Sequence, residues 1–223
     1  MIVERSMHPG WLSNAYLVGD TPGGVAVFVD SGAPLRPLLE AVERERLHVT
    51  HLLLTHGHQD HVAGNEELLG RFRIQVATGS VETGGLRIEA LPTPGHSDDH
   101  MAFVVNGEVC LSGDILFRDA VGGGPHAEPI RRSVMDVLMA LPHETRVLPG
   151  HTDETTIGRE WEKNPFVRYW RGEDASLAEP VRCSGRDATL VVWSPDYDGK
   201  GKALVRLDNG REAIVGGSRV ERG

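Results

Sequence analysis

The segment Thr55-His56-Gly57-His58-Gln59-Asp60-His61 places three imidazoles and a carboxylate within six residues, directly after an apolar run. Neutral imidazole and carboxylate together hold zinc, iron or manganese without any sulfur ligand. In an extended chain His56 and His58 point to the same side, whereas the adjacent Asp60 and His61 cannot both join them unless the chain turns. Two pairs aimed at two points predict two ions. Three more candidates repeat one local pattern. His96 follows Leu91-Pro92-Thr93-Pro94-Gly95, Asp114 follows Cys110-Leu111-Ser112-Gly113, and His151 follows Val147-Leu148-Pro149-Gly150. Each sits behind a glycine just past a strand-like run, and in layered α/β proteins functional groups gather at the carboxyl ends of strands. Seven such N/O ligands exceed what one tetrahedral zinc takes, and a carboxylate such as Asp114 can bridge two ions.

The elements that must position these residues are mostly mixed α and β. The apolar runs at 15–18 and 25–29, separated by Thr21-Pro22-Gly23-Gly24, predict two buried strands joined by a turn. Leu35, Leu38, Leu39 and Val42 recur at helical spacing, with Pro34 and Pro37 near the first turn where proline is tolerated. The spacing predicts a strand over 52–54, a short helix over 62–69 and a strand over 86–90. Residues 101–105 and 109–111 flank Asn106-Gly107 and predict a tight hairpin. A helix over 130–141, a strand over 146–148 and a helical stretch over 155–161 complete the first part. After Gly172 the chain becomes polar and then strand-rich, with runs at 189–193, 203–207 and 213–215 and a second Asn-Gly turn at 209–210. The expectation is a main domain over 1–172 and a small β module over 173–223, which at about 50 residues must pack on the main domain or on a partner.

Hydrophobic residues are 39% of the chain, and no apolar run approaches a membrane span. The N-terminus lacks the basic start and apolar stretch of a signal peptide, and two cysteines make no disulfide framework, so the expected location is cytoplasmic. The formal charge of −9 disfavours nucleic acid and anionic membrane as partners. The expected partner is a small-molecule substrate, with a protein partner or self-association through the β module as a further possibility.

The four motifs, Thr-His-Gly-His-Gln-Asp-His, Pro-Gly-His at 94–96, Gly-Asp at 113–114 and Pro-Gly-His at 149–151, resemble the metallo-β-lactamase superfamily and occur in its order. The resemblance covers roughly residues 10–172. It implies an α/β fold, a four-layer αββα sandwich of two β-sheets between helices. Carried over motif by motif, it implies that His56, His58 and His96 hold the first ion, Asp60, His61 and His151 the second, and that Asp114 bridges. Zinc is the first expectation for both, with iron or manganese as alternatives. In the true β-lactamases a cysteine commonly stands where Asp114 does, so antibiotic hydrolysis is not expected. The stretches at 113–118 and 154–160, with Asn164-Pro165-Phe166, are similar to short glyoxalase II-like hydrolases, which implies a thioesterase-type activity. Residues 119–126 depart from that pattern, and the helical domain that contacts glutathione in longer glyoxalases has no counterpart. Two alternatives within the superfamily are a mononuclear iron persulfide dioxygenase and, from His96-Ser97-Asp98-Asp99-His100-Met101, a phosphodiesterase or nuclease.

Two divalent cations sharing a water lower its pKa from 15.7 towards about 7, so the expected nucleophile is a metal-bridging hydroxide and needs no side chain. Asp60 is the expected catalytic residue, ligating an ion, orienting that nucleophile and assisting proton transfer. Asp30 either orients a ligand histidine or caps the following helix. His51 either orients a ligand histidine likewise or sits in the core. His100 and His126 read as solvated histidines, Gly122-Gly123-Gly124 as a mobile substrate loop, Tyr169, Trp170 and Trp11 as core rather than pocket wall, and Cys110 as a buried apolar residue.

Overall fold

In the computed structural model, which describes residues 1–222, the first sheet has the order β1 (Ile2–Met7), β2 (Asn14–Gly19), β3 (Val25–Val29), β4 (His48–Leu53) and β5 (Gln75–Ala77). The first three strands pair antiparallel and the last two add in parallel. Between β3 and β4 runs α1 (Arg36–Glu45), and between β4 and β5 run α2 (Gln59–Val62) and α3 (Asn65–Phe72). Alternation along the strands splits their side chains between two cores. Ala15, Leu17, Ala26, Phe28 and Leu52 face Leu38, Ala41 and Val42 of α1 and Leu68 of α3. Tyr16, Val18, Val27, Val29 and Leu53 face the opposite way, into the space between the two sheets.

The helix predicted over 62–69 is two helices. Its spacing is helical, but a Cβ on Gly64 would stand 2.6 Å from the Ser31 carbonyl oxygen, so the chain is pressed against the loop after β3 there and bends. The turn into α2 at Gln59, ahead of that bend, takes Asp60 and His61 away from the extended His56-Gly57-His58 run.

The second sheet contains β6 (Val81–Thr83), β7 (Leu86–Pro92), β8 (Met101–Val105), β9 (Val109–Gly113), β12 (Arg146–Pro149) and β13 (Thr155–Thr156), in the order β13-β12-β9-β8-β7-β6. A small hairpin of β10 (Leu116–Phe117) and β11 (Ala120–Val121) follows β9. The Asn106-Gly107 hairpin forms as predicted, with φ of 53° and 73° at the two turn residues, the left-handed pair that a two-residue turn requires. Val105, Val109, Leu111, Ile88, Phe103 and Leu148 complete the core between the sheets. On the outer face lie α4 (Ala127–Arg132), α5 (Ile157–Lys163) and α6 (Pro165–Trp170). The helix predicted over 130–141 begins at α4 and then loosens into a wide turn at Ser133–Val137 and a tight one at Leu138–Ala140. Helices, sheet, sheet, helices give the four-layer αββα sandwich.

Five strands that end at the same edge matter most. β3 and β4 run parallel, β9 and β12 run parallel, and β7 reaches the same direction through the antiparallel β8. The loops that leave their carboxyl ends carry Asp30, the 55–61 segment, His96, Asp114 and His151. One anchor of that edge is Glu160 on α5, fully buried. It accepts Thr155 Oγ1 and Arg159 Nη1 on one oxygen and the Asp119 amide and Asn164 Nδ2 on the other, at 2.6–3.0 Å. The 154–160 and 164–166 stretches thus fasten the β10–β11 turn beside the metal loops.

Beyond α6 a third sheet has the order β17 (Glu212–Gly216), β16 (Lys202–Leu207), β15 (Arg186–Ser194), β14 (Glu179–Cys183) and β18 (Val220–Arg222). Sequence patterning found three of these strands. It missed β14, which alternates over only two buried positions, and β18, which is three residues long with none buried. At Asn209-Gly210 only the glycine takes positive φ (78°), so this turn is a type I turn closed by a left-handed glycine instead of the predicted paired form. One face of the sheet buries Val181, Cys183, Leu190, Ala203, Val205 and Ala213. Val191, Val192, Leu204 and Ile214 join the core of α4 and α6 instead, beside Ile130 and Phe166. Tyr169 and Trp170 pack against that core, as expected, whereas Trp11 is exposed and stacks on His8. Among the described residues no helix is long and apolar enough to cross a membrane.

Because Leu204 is fully buried in a core shared between the third sheet and α4 and α6, Leu204→Ala is expected to cost about 2–5 kcal/mol. Urea denaturation followed by circular dichroism should show one transition at lower denaturant. A separate early transition of the third sheet would mean that the seam carries no cooperativity.

Candidate metal centre

The loop after β4 is extended through His58, so His56 and His58 aim the same way, as the sequence predicts. His56 Nε2 and His58 Nδ1 lie 3.0 Å apart, and His96 Nε2 lies 3.0 Å from the same His58 nitrogen. Four ligands about 2.0–2.1 Å from a tetrahedral zinc stand about 3.3 Å from one another, so three nitrogens at this spacing surround one cation position. A second group forms where α2 turns the chain. Asp60 Oδ2 lies 3.6 Å from His61 Nε2 and 3.5 Å from His151 Nε2. Ligand atoms of His56, His58 and His96, and separately of Asp60, His61 and His151, fall within 4.8 Å of one another.

Asp114 stands between the groups. Its Oδ2 is 3.6 Å from His96 Nε2 and 3.3 Å from His151 Nε2, and its Oδ1 is 3.4 Å from His61 Nε2. His61 Nε2 and Asp114 Oδ1 are buried without a hydrogen-bond partner among the described residues. Orphaned polar atoms in a protein interior are costly, and an imidazole nitrogen and a carboxylate oxygen turned towards each other are the atoms a cation would satisfy. The donor set fits two cations. The seven sequence candidates are all brought to this edge.

Outer contacts orient the histidines. Asp30 accepts His61 Nδ1–H at 2.8 Å and also the Thr55 amide and hydroxyl, and Thr55 Oγ1 lies 3.1 Å from His56 Nδ1. Of its two predicted roles Asp30 therefore has the first; α1 begins instead after Leu35 and has no side-chain cap. His96 donates from Nδ1 to the Gly123 carbonyl (3.0 Å) and His151 from Nδ1 to the Leu12 carbonyl (2.9 Å). Each such bond leaves the opposite nitrogen free to ligate.

His100 is a correction. Read as solvated, it is 1% exposed; Nδ1 meets Thr93 Oγ1 at 2.8 Å, and Nε2 accepts the Asp114 amide at 2.9 Å. It positions Asp114, and its place inside a polar stretch hid that in the sequence. His51 lies off the site, half-buried on β4 against Thr50. His126 is exposed, as expected, beside Arg211. The Gly122-Gly123-Gly124 stretch, expected to be mobile, is fastened: Gly122 N donates to Ile115 O, and Gly124 exchanges two backbone hydrogen bonds with Ile214. Its glycines are required because a Cβ on Gly122 would stand 1.9 Å from the Asp114 carbonyl oxygen. Gly150 similarly admits Asp114, whose Oδ1 would be 2.2 Å from a Cβ there. Sequence reasoning missed Tyr197, which lies flat on His151 with ring centroids 4.1 Å apart and planes 5° apart.

Charge follows the same division. Burial pushes His56 down to about 4 and His100 to about 3, and lowers His96, so these rings are neutral. Burial also opposes charge on His61 and His151, but the adjoining carboxylates win: Asp114 and Asp30 raise His61 to about 11, and Asp114 and Asp60 raise His151 to about 9. Burial would raise Asp114, yet His151 and His61 hold it well below the carboxylate range. Burial alone pushes the Cys110 thiol up to about 12, which leaves it no nucleophile.

A sequence model of the metallo-beta-lactamase superfamily matches residues 8–83. Hydroxyacylglutathione hydrolase from Rhodopseudomonas palustris is 33% identical over 79% of this chain and 89% of its own. Among solved structures, a TTHA1623 structure in a di-iron-bound form is 30% identical, with a TM-score of 0.60 over 72% of this chain and 98% of that one. ETHE1 from Myxococcus xanthus is 28% identical, with a TM-score of 0.65 over 75% and 84%.

Removing the Asp30 carboxylate (Asp30→Ala) should weaken zinc binding about 10–100-fold, because His61 loses its tether; chelator competition reads this directly. In ion-free protein His151 keeps its proton up to about pH 9, and an ion must displace it. Zinc affinity is therefore expected to rise between pH 6.5 and 9. Over the same window the ion-free fold should lose stability, since the benefit of a raised histidine pKa is complete below 6.5 and gone above the folded value. Thermal denaturation of chelator-treated protein across that range checks the sign.

Proposed function

The chain belongs to the metallo-β-lactamase superfamily, and from that premise we propose that it is a dinuclear metal-dependent hydrolase of a thioester or a related small ester. The superfamily consists mostly of hydrolases that use divalent metals. The observation that carries the dinuclear reading is the single Asp114 oxygen lying 3.6 Å from His96 Nε2 and 3.3 Å from His151 Nε2, one from each ligand group. The likeness to a di-iron-bound structure supports two ions, and the likeness to hydroxyacylglutathione hydrolase supports a thioester.

His56, His58 and His96 would hold one ion, Asp60, His61 and His151 the other, with Asp114 shared between them. Such ions supply a water acidic enough to attack at neutral pH and positive charge for the developing oxyanion. The rest falls to the chain. Asp60 turns Oδ2 towards His61 and His151 and is the more exposed of the two site carboxylates, 27% against 7% for Asp114. It is placed to take the proton of the attacking water and return it to the departing thiol. Asp114, buried and fixed through its amide by His100, keeps the two ligand groups at a constant separation. His58 is exposed and His96 half-buried, so substrate reaches the centre from their side.

A mononuclear iron oxygenase acting on a thiol persulfide needs one ion, and the complete second group of Asp60, His61 and His151 favours the hydrolase over it. A nuclease would meet phosphate with a chain of formal charge −9.

Zinc-loaded protein should turn over S-lactoylglutathione or another member of a thioester panel, and Asp60→Asn should lower kcat by about 10²–10⁴-fold. A folded protein holding two ions and inert to every thioester and ester tried would falsify the reading. Oxygen uptake with a persulfide would move it to the oxygenase.

A further inference from the structure

We propose that the third sheet is a working part of the metal centre, holding one ligand of each ion: Tyr197 as a positioning residue for His151, and the Ile214 backbone for His96. This rests on the two-ion reading above. His151 is tethered at Nδ1 by the Leu12 carbonyl, which fixes one point of the ring and leaves its plane free to tilt. The plane is set by Tyr197, stacked at 4.1 Å and 5°, with the edge of Phe117 at 5.8 Å. Phe117 also meets Tyr197 edge-on at 5.7 Å, so the three rings form one packed unit.

Tyr197 is itself held. Asp196 accepts its backbone amide at 3.0 Å and pairs at 2.9 Å with Lys202, which is 8% exposed and lies over the rings of both Tyr197 and Phe117. The segment between β15 and β16 thus presents a fixed aromatic face to the metal centre. The tyrosine hydroxyl makes no hydrogen bond among the described residues, so what the side chain supplies to His151 is the flat of its ring.

The second tether runs to the first ion. Gly124 N donates to Ile214 O at 2.9 Å, and Ile214 N donates to Gly124 O at 3.0 Å. The adjoining Gly123 carbonyl is the acceptor for His96 Nδ1. A third attachment, Ser194 Oγ donating to the Asp119 carbonyl, fastens the same loop at its other end. A sheet that served only to cover apolar surface would need Val191, Val192, Leu204 and Ile214 at the seam; it would not need a tyrosine ring parallel to a ligand imidazole.

The test compares Tyr197→Phe, Tyr197→Leu and Tyr197→Met with Val181→Ala, which opens the core of the third sheet away from the metals. Zinc affinity by chelator competition and the visible absorption of the cobalt(II)-substituted protein are read for each. Tyr197→Leu and Tyr197→Met are expected to weaken the ion of the Asp60, His61 and His151 group about 10–100-fold and to alter the cobalt spectrum. Tyr197→Phe should stay within about twofold of the parent with the parent's spectrum, because it keeps the stacked ring. Val181→Ala should lower thermal stability and leave affinity and spectrum alone. The proposal is overturned if Leu and Met bind both ions like the parent, or if Val181→Ala weakens binding as much as they do. A parent that takes up fewer than two ions overturns it together with the two-ion reading, and that failure is visible before any variant is made.

Discussion

A carboxylate that is 7% exposed has to be surrounded by positive charge or it cannot stay ionised. Asp114 is that carboxylate, and the arrangement of the site is organised around it. Its amide is held by His100, its oxygens face His61, His96 and His151, and the glycines at 122 and 150 make room for it. Without cations, the compensation falls to protons on His61 and His151. The carboxylates that would hold a proton on each of those rings are the ones that would face a divalent ion, so an ion arriving there must displace positive charge already drawn to the site.

The seven candidate ligands were legible in the sequence because ligand chemistry restricts residue type and the short spacing of 56–61 restricts direction. Alternation and helical spacing made the mixed α/β elements legible, the four-layer arrangement came from the resemblance of the four motifs, and the glycines before His96, Asp114 and His151 marked strand ends. The outer contacts were not. Gly123 and Leu12 act through carbonyls, which every residue has, and no sequence pattern distinguishes them. His100 sits among Ser97, Asp98 and Asp99, where hydrophilic neighbours suggest solvent; its burial comes from Thr55, Thr93 and Gly113 meeting across three loops. Tyr197 lies in a turn of a separate sheet, and its distance in sequence from His151 carries no periodic signal. The break between α2 and α3 also escaped, because the collision that causes it involves Ser31, 33 residues before Gly64.

The third sheet and the Glu160 cluster bear on the same loop from different sides. Glu160 fixes the Asp119 amide, Ser194 fixes the Asp119 carbonyl, and Ile214 fixes Gly124. The segment from 119 to 124 is thereby held at both ends while its middle approaches His96. A stretch rich in glycine is flexible only when nothing binds its backbone. Here the glycines serve close approach, and order comes from the partners.

The parallel strands that end at one edge belong to two different sheets. His56, His58, Asp60 and His61 leave β4 of the first sheet, whereas His96, Asp114 and His151 leave β7, β9 and β12 of the second. Each ligand group therefore draws on both. Ions seated there would act as rivets across the sandwich, opposing any sliding of one sheet over the other, and the gap between the layers would become a property of the metal as much as of the hydrophobic core it encloses.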